Sequence, residues 1–460
     1  MKIGRSLLAV PFLAVSVWAA APATNDLILP ERLLPQLDAI LKGAVQQSPR
    51  MLSRALDMEI AENSRIQARA NLLPAASAWV NYNRSKDKNK RGPASSPGSI
   101  GTEESYGVTK TPYSATISQP LFFWGERKNL DHIGEIQLLI SQGQYREGYR
   151  LLVQDLRANY MRLIMDKLVV KRAHFYLEFT NNQLKQQEER LAKKVISEVE
   201  ISIARLTAEQ AQIALERIEL DYQNALVSFA RLSGVNTVTD ESLPDAVPPA
   251  AYPAAAYDQL LAGFLAQKEP PTTEAITLRK QIEIENLNYA NYRTRLRPKL
   301  SAVAGVSEDE QTNLYGTGAR YSLSSVYAGL SVNWTIFDGF SSNAAAKSSL
   351  ARRRQLEGDY RQLTERLAQD AQTQVKMVNF AARSMAINER LLVSGDGYLQ
   401  TVKADFQRGA KSEADVSQAQ LALYDAQYNA DSARADYLLK TGDFLGTVME
   451  DPALAYLADK

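Results

Sequence analysis

The stretch Val326-Tyr-Ala-Gly-Leu-Ser-Val-Asn-Trp-Thr-Ile-Phe337-Asp-Gly339 decides the fold. Val326, Ala328, Leu330, Val332, Trp334 and Ile336 alternate with Tyr327, Gly329, Ser331, Asn333 and Thr335. A period of two with apolar residues on one side and small or polar ones on the other predicts a strand that faces lipid. At Gly339 the pattern turns helical and holds to Gly409, with no proline and only Gly358, Gly395 and Gly397 inside. Roughly 70 helical residues at ~1.5 Å each make a rod of about 100 Å, far beyond an ordinary globular helix. Its apolar seam is Leu356, Tyr360, Leu363, Leu367, Ala371, Val375, Val378, Ala382 and Met385. The spacing of four and three carries one extra step of four, a stutter that straightens a left-handed coiled coil. The helix that returns after Gly409 bears an alanine stripe at Ala419, Ala422, Ala426, Ala430 and Ala433, which would admit a close neighbour.

The same order occurs earlier in the chain. Arg69 to Ala78 matches Arg293 to Ala302 with Pro74 and Pro298 in register, and Tyr113 to Gly125 matches Tyr327 to Gly339. Lys193 to Leu206 matches Arg408 to Leu421, aligning Glu200 with Asp415. The proline, phenylalanine (Phe123 and Phe337) and acidic pairs stand 224, 214 and 215 residues apart, so three blocks of different character keep both order and spacing. The chain is an internal duplicate.

Five segments follow. Residues 1–23 read as a signal peptide: Lys2 and Arg5, an apolar run from Leu7 to Val17, then the A-x-A options Ala19–Ala21 and Ala21–Ala23, with Pro22 favouring cleavage after Ala23. Residues 24–233 form the first repeat, with strands near 74–86 and 113–123, a long helix near 125–193 and a returning helix near 196–232. Residues 234–272 hold Pro244, Pro248, Pro249, Pro253, Pro270 and Pro271 and read as a linker or small irregular belt. Residues 273–445 form the second repeat, with strands near 299–307 and 325–337 and helices near 339–408 and 411–441. A tail of 446–460 ends the chain. The stretches Asp87–Pro112 and Ser307–Ser324 are polar and turn-rich and read as exposed loops. Phe122, Phe123, Trp124, Trp334, Phe337 and Phe340 crowd the strand ends, as membrane-interface aromatics do.

Composition removes several function classes. Among 460 residues there are 53 Lys+Arg against 52 Asp+Glu, a net charge of +1 that gives no reason to expect a nucleic-acid partner. The absence of cysteine excludes disulfides, cysteine zinc sites, thiol catalysis and a lipid anchor on an N-terminal cysteine. Only His132 and His174 are present, too few for a histidine-rich metal site. Carboxylate pairs lie on charged helices without a glycine-rich loop, nucleophile motif or ligand cluster, so neither an enzyme nor a cofactor is expected. With no spanning helix, only a β-barrel would carry the chain across a bilayer.

Four strands cannot close such a barrel, because the smallest have about eight, and open edges in lipid leave backbone groups unpaired. Strands in a membrane therefore require several copies. A trimer would supply twelve strands and six pseudo-equivalent units.

The signal peptide, the duplicated strand–loop–strand–long helix–returning helix order, the Phe-x-Gly step, and the turn Arg408-Gly-Ala-Lys-Ser-Glu-Ala-Asp-Val416 resemble the TolC-like outer-membrane efflux family. The resemblance runs from about Leu33 to Thr447 and implies a mainly α fold with a small β part. It implies long helical hairpins forming a periplasmic α-barrel, and four strands per chain in a homotrimeric twelve-stranded transmembrane β-barrel. It implies outer-membrane lipid around the barrel and service as the passive exit duct of a tripartite efflux pump or a type I secretion system. A periplasmic adaptor and an inner-membrane transporter are the implied partners, and the glycine turns are the implied periplasmic tips. Arg408, Gly409, Lys411, Asp415, Gln418 and Glu200 are then gating candidates. Lys193, Lys194, Ser197, Glu198, Gly409, Ala410, Ser412 and Glu413 are adaptor-docking candidates. Gln418 stands where some family members carry a second acid, and Lys194 replaces the tip glycine in the first repeat, where a different turn is expected. Physically, the tips are exposed charges of mixed sign, each pair worth ~0–1 kcal/mol unless repeated around a ring. The residues also allow an exported periplasmic coiled coil without channel activity, which would leave the paired, aromatic-flanked strands without a purpose.

Overall fold

The computed structural model describes residues 27–90, 103–235, 238–314 and 318–457. The signal-peptide segment and residues 91–102 of the first expected loop lie outside the described residues. The elements run α1 (Pro30–Leu33), α2 (Pro35–Gln47), α3 (Pro49–Ala70), β1 (Ala75–Val80), β2 (Asn83–Lys90), β3 (Glu103–Lys110), β4 (Tyr113–Phe122), α4 (Glu126–Ala192) and α5 (Glu198–Ser233). The second half continues with α6 (Ala254–Leu265), α7 (Thr273–Thr294), β5 (Lys299–Leu314), β6 (Ala319–Asn333), α8 (Ser341–Gln407) and α9 (Glu413–Thr447). Among the described helices none is long and apolar enough to cross a membrane.

Two compact units divide the chain: Met1–Ser53 with Arg146–Thr272 and Leu363–Lys460, and Arg54–Tyr145 with Thr273–Gln362. All strands among the described residues belong to the second unit, in one antiparallel sheet of order β1-β4-β5-β3-β2 with β6 on the other side of β5. At either level the sheet is four strands wide, so the four expected strands become six segments. The first two are broken at 81–82 and 111–112, where the Asn81 amide donates to the Pro112 carbonyl at 2.9 Å.

Both expected loops are shorter than the sequence suggested. Much of Asp87–Pro112 extends the hairpin as β2 and β3, and much of Ser307–Ser324 belongs to β5 and β6. These segments carry little apolar alternation, limited to Tyr106 and Val108 in β3 and Tyr321 and Leu323 in β6. Charge and hydroxyl pairing across the ladder replaces it, as where Arg320 pairs with Glu310 and the Ser322 hydroxyl donates to Glu308 at 2.9 Å. β6 also stops at Asn333 rather than about 337, because its partner β5 begins at Lys299 and no ladder remains beyond that pair. Trp334 and Phe337 therefore lie past the strand end.

The register makes one face of the sheet continuous. Ala76 and Ala78 of β1 stand across from Ile117 and Ala115 of β4, which oppose Ala304 and Val306 of β5, which oppose Ala328 and Val326 of β6. All eight are apolar. On the opposite face lie Ser77, Thr116, Gly305 and Tyr327, where the Thr116 and Tyr327 hydroxyls are 3.1 Å apart. The apolar side chains are not covered: Val326 is 85% and Leu330 70% exposed. The neighbouring positions Glu308 and Glu310 continue the apolar parity of β5 with charge, which marks where the apolar band ends.

The first unit packs around the helical seam. Leu363, Ala371, Val375, Val378, Ala382 and Met385 of α8 are buried there and Leu367 half-buried, as the spacing predicts; Leu356 and Tyr360, in the second unit, are half-buried too. On α9, Ala419, Ala430 and Ala433 are buried whereas Ala422 is exposed. A side chain at Gly395 would meet the Ala426 methyl at 3.4 Å, so α8 and α9 approach closely there. The proline-rich stretch contains α6, because Ala254-Ala-Ala256 after Pro253 are strong helix formers, and it buries Tyr257, Leu260 and Phe264. The Tyr257 hydroxyl lies 2.8 Å from that of Thr441 and 3.1 Å from that of Tyr437 on α9.

Both ends of the described chain are tied to α4 by one buried cation. Arg157 is 1% exposed and donates through Nε to Glu31 at 2.9 Å and through Nη1 to Asp451 at 2.6 Å. Burial alone would lower the guanidinium pKa, but the carboxylates of Asp451 and Glu31 raise it instead. Arg157→Leu would strand two buried carboxylates and is expected to cost about 3–5 kcal/mol, read as a fall in thermal midpoint in detergent. Adding Glu31→Leu and Asp451→Leu is expected to recover most of that loss; a triple variant as weak as the single one would contradict this account.

Candidate functional site

The two helical turns that the repeats place in register are the best-defined polar constellations. α4 and α8 both end in the same hydrogen-bonded motif. The Lys194 amide donates to the Leu191 carbonyl at 2.8 Å and the Val195 amide to Arg190 at 2.9 Å. The Gly409 amide donates to Phe406 and the Ala410 amide to Asp405, both at 2.9 Å. These three-back and five-back bonds define a Schellman stop, which needs a left-handed residue at its centre. Gly409 has φ +78° and Lys194 has φ +57°. The different turn expected in the first repeat does not occur: lysine occupies the left-handed position that glycine takes in the second.

After each turn a serine caps the returning helix. The Glu200 amide donates to Ser197 Oγ at 3.3 Å, and the Ser197 amide donates back to Glu200 Oε2 at 2.7 Å. The Asp415 amide donates to Ser412 Oγ at 3.2 Å, and the Ser412 amide returns to Asp415 Oδ2 at 2.8 Å. These are reciprocal capping boxes. The Ser197 and Ser412 amides, and then their hydroxyls, hold the Glu200 and Asp415 carboxyls below the usual carboxylate range. Glu200 and Asp415 thus have a local task in starting α5 and α9.

The remaining candidates separate. Lys411 Nζ reaches Asp415 only at 4.0 Å, and Arg408 turns back to Asp405 at 3.4 Å. Lys193, Glu198, Ala410, Glu413 and Gln418 are exposed. Beneath the second turn Leu399, Val402 and Ala419 form an apolar cluster with Val416 and Leu423. In the other unit, Phe122 and Trp124 meet edge-on at 4.8 Å, as do Phe337 and Phe340 at 5.3 Å. Trp124 Nε1 donates to the Pro298 carbonyl at 2.8 Å and Trp334 Nε1 to Leu296 at 2.9 Å. Phe123 lies beneath the Arg127 guanidinium at 4.8 Å.

The sequence reading missed the two-faced apolar character of α5. Ile201, Ala208, Leu215, Tyr222 and Phe229 recur every seven residues and are at most 6% exposed. Val199, Leu206, Ile213, Leu220 and Val227 recur with the same period and are 50–75% exposed. The rows are offset by two residues, about 200° around the helix, so α5 is apolar on opposite faces. The heptad was legible in the sequence; its second row became visible only once the first was seen to be buried. α8 likewise exposes Met377, Phe380, Ile387, Leu391, Tyr398 and Phe406. Among the described residues no cluster of His, Asp and Glu could hold a metal ion.

A profile of the family described as outer membrane efflux protein matches residues 40–235 and 279–440. No curated protein matches the chain. Solved structures do. The outer membrane protein VceC from Vibrio cholerae is 15% identical with a TM-score of 0.63, over 91% of this chain and 97% of its own. The CmeC outer membrane channel of Campylobacter jejuni is 12% identical with a TM-score of 0.68, over 98% and 94%. The open state of the Neisseria gonorrhoeae MtrE outer membrane channel is 15% identical with a TM-score of 0.58, over 90% and 89%. At these identities the likeness is one of fold.

A lysine in left-handed conformation costs about 1–2 kcal/mol relative to glycine, partly offset by the freer unfolded glycine chain. Lys194→Gly is therefore expected to stabilise the first turn by about 1 kcal/mol, read as about fivefold slower amide exchange at residues 194–195. Unchanged or faster exchange would show that the lysine side chain contributes more than its backbone costs.

Proposed function

Because the chain belongs to the outer membrane efflux protein family, we propose that three copies form one passive exit duct of a tripartite efflux pump. The sheets would join into a twelve-stranded barrel in the outer membrane, and the long helices into a periplasmic α-barrel. A periplasmic adaptor coupled to an inner-membrane transporter would dock at the two turns and open the entrance. The named likeness to outer membrane channels, one of them in an open state, supports this reading.

The observation that carries the proposal is α5, with one heptad row buried in its own chain and the opposite row exposed. A helix apolar on opposite faces is built to stand between two neighbours, which is the condition of a helix in a closed ring. Counted from their turns, Leu206 and Ile213 stand 12 and 19 residues beyond Lys194, while Tyr398 and Leu391 stand 11 and 18 residues before Gly409. The exposed row of α5 therefore matches that of α8 in level, and we assign α8 of the next copy as its partner. The sheet supports the same conclusion, since eight apolar side chains share one exposed face and a sheet four strands wide ends in open edges. Lipid covers such a face, and further copies pair such edges.

At the tips, the capping bonds of Asp415 and Glu200 favour a refined division of labour. The acids fix where α5 and α9 begin. Arg408, Lys411, Lys193, Glu198 and Glu413 remain as exposed charges for ring contacts and for an adaptor, with Lys194, Ser197, Gly409, Ala410, Ser412 and Gln418 shaping the surface around them.

Incorporation of the purified protein into planar bilayers is expected to give discrete ion-conducting steps. Burying five apolar side chains of roughly 1.5–3 kcal/mol each supplies most of the proposed helix contact, so charging its centre should break it. Leu206→Glu with Ile213→Glu is expected to reduce the detergent-solubilised particle from three chains to one and to abolish conductance. A three-chain mass by light scattering in that variant would overturn the assigned contact.

A further inference from the structure

The apolar face of the sheet changes character along its length. Val80 stands across from Tyr113 and Arg84 across from Thr109. The β5 partners of Tyr113 and Thr109 are Glu308 and Thr312, which share a face with Val306. One face of β1 and β2 therefore carries Ala76, Ala78 and Val80, then Arg84, Lys86 and Lys88. Tyr82, 70% exposed, lies between the apolar and the cationic groups.

The three cations are exposed, whereas Ser85 and Asp87 between them are half-buried. Across from Ser85 and Asp87, Val108 is buried and Tyr106 half-buried. The hairpin of β2 and β3 thus covers one face and leaves its cationic face open. No acid stands opposite the row, because the cross-strand partners of Arg84, Lys86 and Lys88 are Thr109, Gly107 and Ser105. Among the described residues no ion pair holds Arg84 or Lys86. The hairpin of β5 and β6 provides an internal comparison. On the same face it carries Glu308, Glu310 and Arg320. Arg320 pairs with Glu310, and Glu308 accepts from Tyr113 and from the Ser322 hydroxyl. One hairpin satisfies its charges internally, and the other presents an uncompensated row.

Spacing decides what that row fits. Alternate residues of a strand stand ~6.6 Å apart, so Arg84 to Lys88 spans ~13 Å along β2. At the ~40° tilt of barrel strands, the row would rise through ~10 Å above the apolar band. A phospholipid carries its phosphate in a single plane and would meet one cation of the row. A lipid with phosphates on successive linked sugars matches all three.

We propose that Arg84, Lys86 and Lys88 bind the phosphorylated saccharide headgroup of an outer-leaflet glycolipid, a lipopolysaccharide, whose acyl chains lie on Ala76, Ala78 and Val80. The inference rests on the channel reading for its orientation: with the long helices in the periplasm, the hairpin ends of the strands sit at the outer leaflet. Cations at a membrane surface attract anionic headgroups, and aromatics such as Tyr82 favour the level between headgroups and acyl chains. The contact would fix how deeply the barrel sits, since all three levels are written on one strand face.

The test is native mass spectrometry of the protein released from nanodiscs of phosphatidylglycerol containing lipopolysaccharide with a phosphorylated core. The comparison is a triple variant, Arg84→Gln with Lys86→Gln and Lys88→Gln. The protein is expected to retain the glycolipid in preference to phosphatidylglycerol, and the triple variant to retain at least tenfold less of it. Exchanging the cations, as Arg84→Lys with Lys86→Arg and Lys88→Arg, is expected to keep the retention, and Arg408→Gln at the helical turn to leave it unchanged. Dephosphorylated glycolipid is expected to be retained as poorly as the intact form is by the triple variant. Equal retention in the triple variant, equal retention of the dephosphorylated glycolipid, no preference over phosphatidylglycerol, or an equal loss in either control variant would each overturn the site. Particle mass and bilayer conductance, measured on the same samples, report separately on the channel reading. An assembled, conducting protein that retains no glycolipid refutes this inference alone, and an unassembled one refutes the reading beneath it.

Discussion

A helix that is apolar on two opposite faces is the constraint on which the rest of the structure depends. The buried row of α5 from Ile201 to Phe229 satisfies one face within the chain, and the row from Val199 to Val227 is left in the open. The sheet repeats the condition in another medium: its strands pair among themselves, yet the face carrying Val326 and Ala304 has no protein covering it. Each element thus solves half of its burial problem locally. In the proposed assembly a second copy would supply the other half for the helices and lipid for the strands. Solved channels that are 12% and 16% identical to this chain share its fold.

Much of this was legible in the sequence because the deciding signals are periodic. The alternation from Val326 to Ile336, the proline-free run to Gly409 and the matched blocks set the mainly α architecture and its duplication. What escaped was written in other terms. β2, β3 and the outer halves of β5 and β6 are mostly charged and hydroxyl-bearing, with only Tyr106, Val108, Tyr321 and Leu323 as larger apolar positions in β3 and β6, so a search for apolar alternation reads them as loops. The belt at 234–272 hides α6 because its prolines dominate the composition while Ala254 to Leu265 form the helix. The Arg157 clasp joins residues 126 and 294 positions apart, a separation that no local pattern encodes.

The candidate turns were found in sequence by their glycine and charges, but their chemistry was assigned too generously. Asp415 and Glu200 look like gating acids by position; their hydrogen bonds make them capping acids first. Lys194 looks like a break in the motif, yet it holds the left-handed conformation, because the carbonyls of Leu191 and Arg190 need their partners whichever residue stands there. Duplication preserved backbone geometry at both turns more strictly than side-chain identity. At the strand ends it kept Phe123 and Gly125 as Phe337 and Gly339, while Trp124 stands against Asp338 and Arg127 and Lys128 against Ser341 and Ser342.

The central claim is that the outward row of α5 is covered by α8 of another copy. The chain contains no cysteine, so a pair introduced as Ile213→Cys and Leu391→Cys reports on that contact alone. Mild oxidation in the membrane, followed by denaturing electrophoresis, is predicted to give a covalent ladder that ends at three chains. A ladder that never forms, that stops at two, or that continues past three would contradict the account.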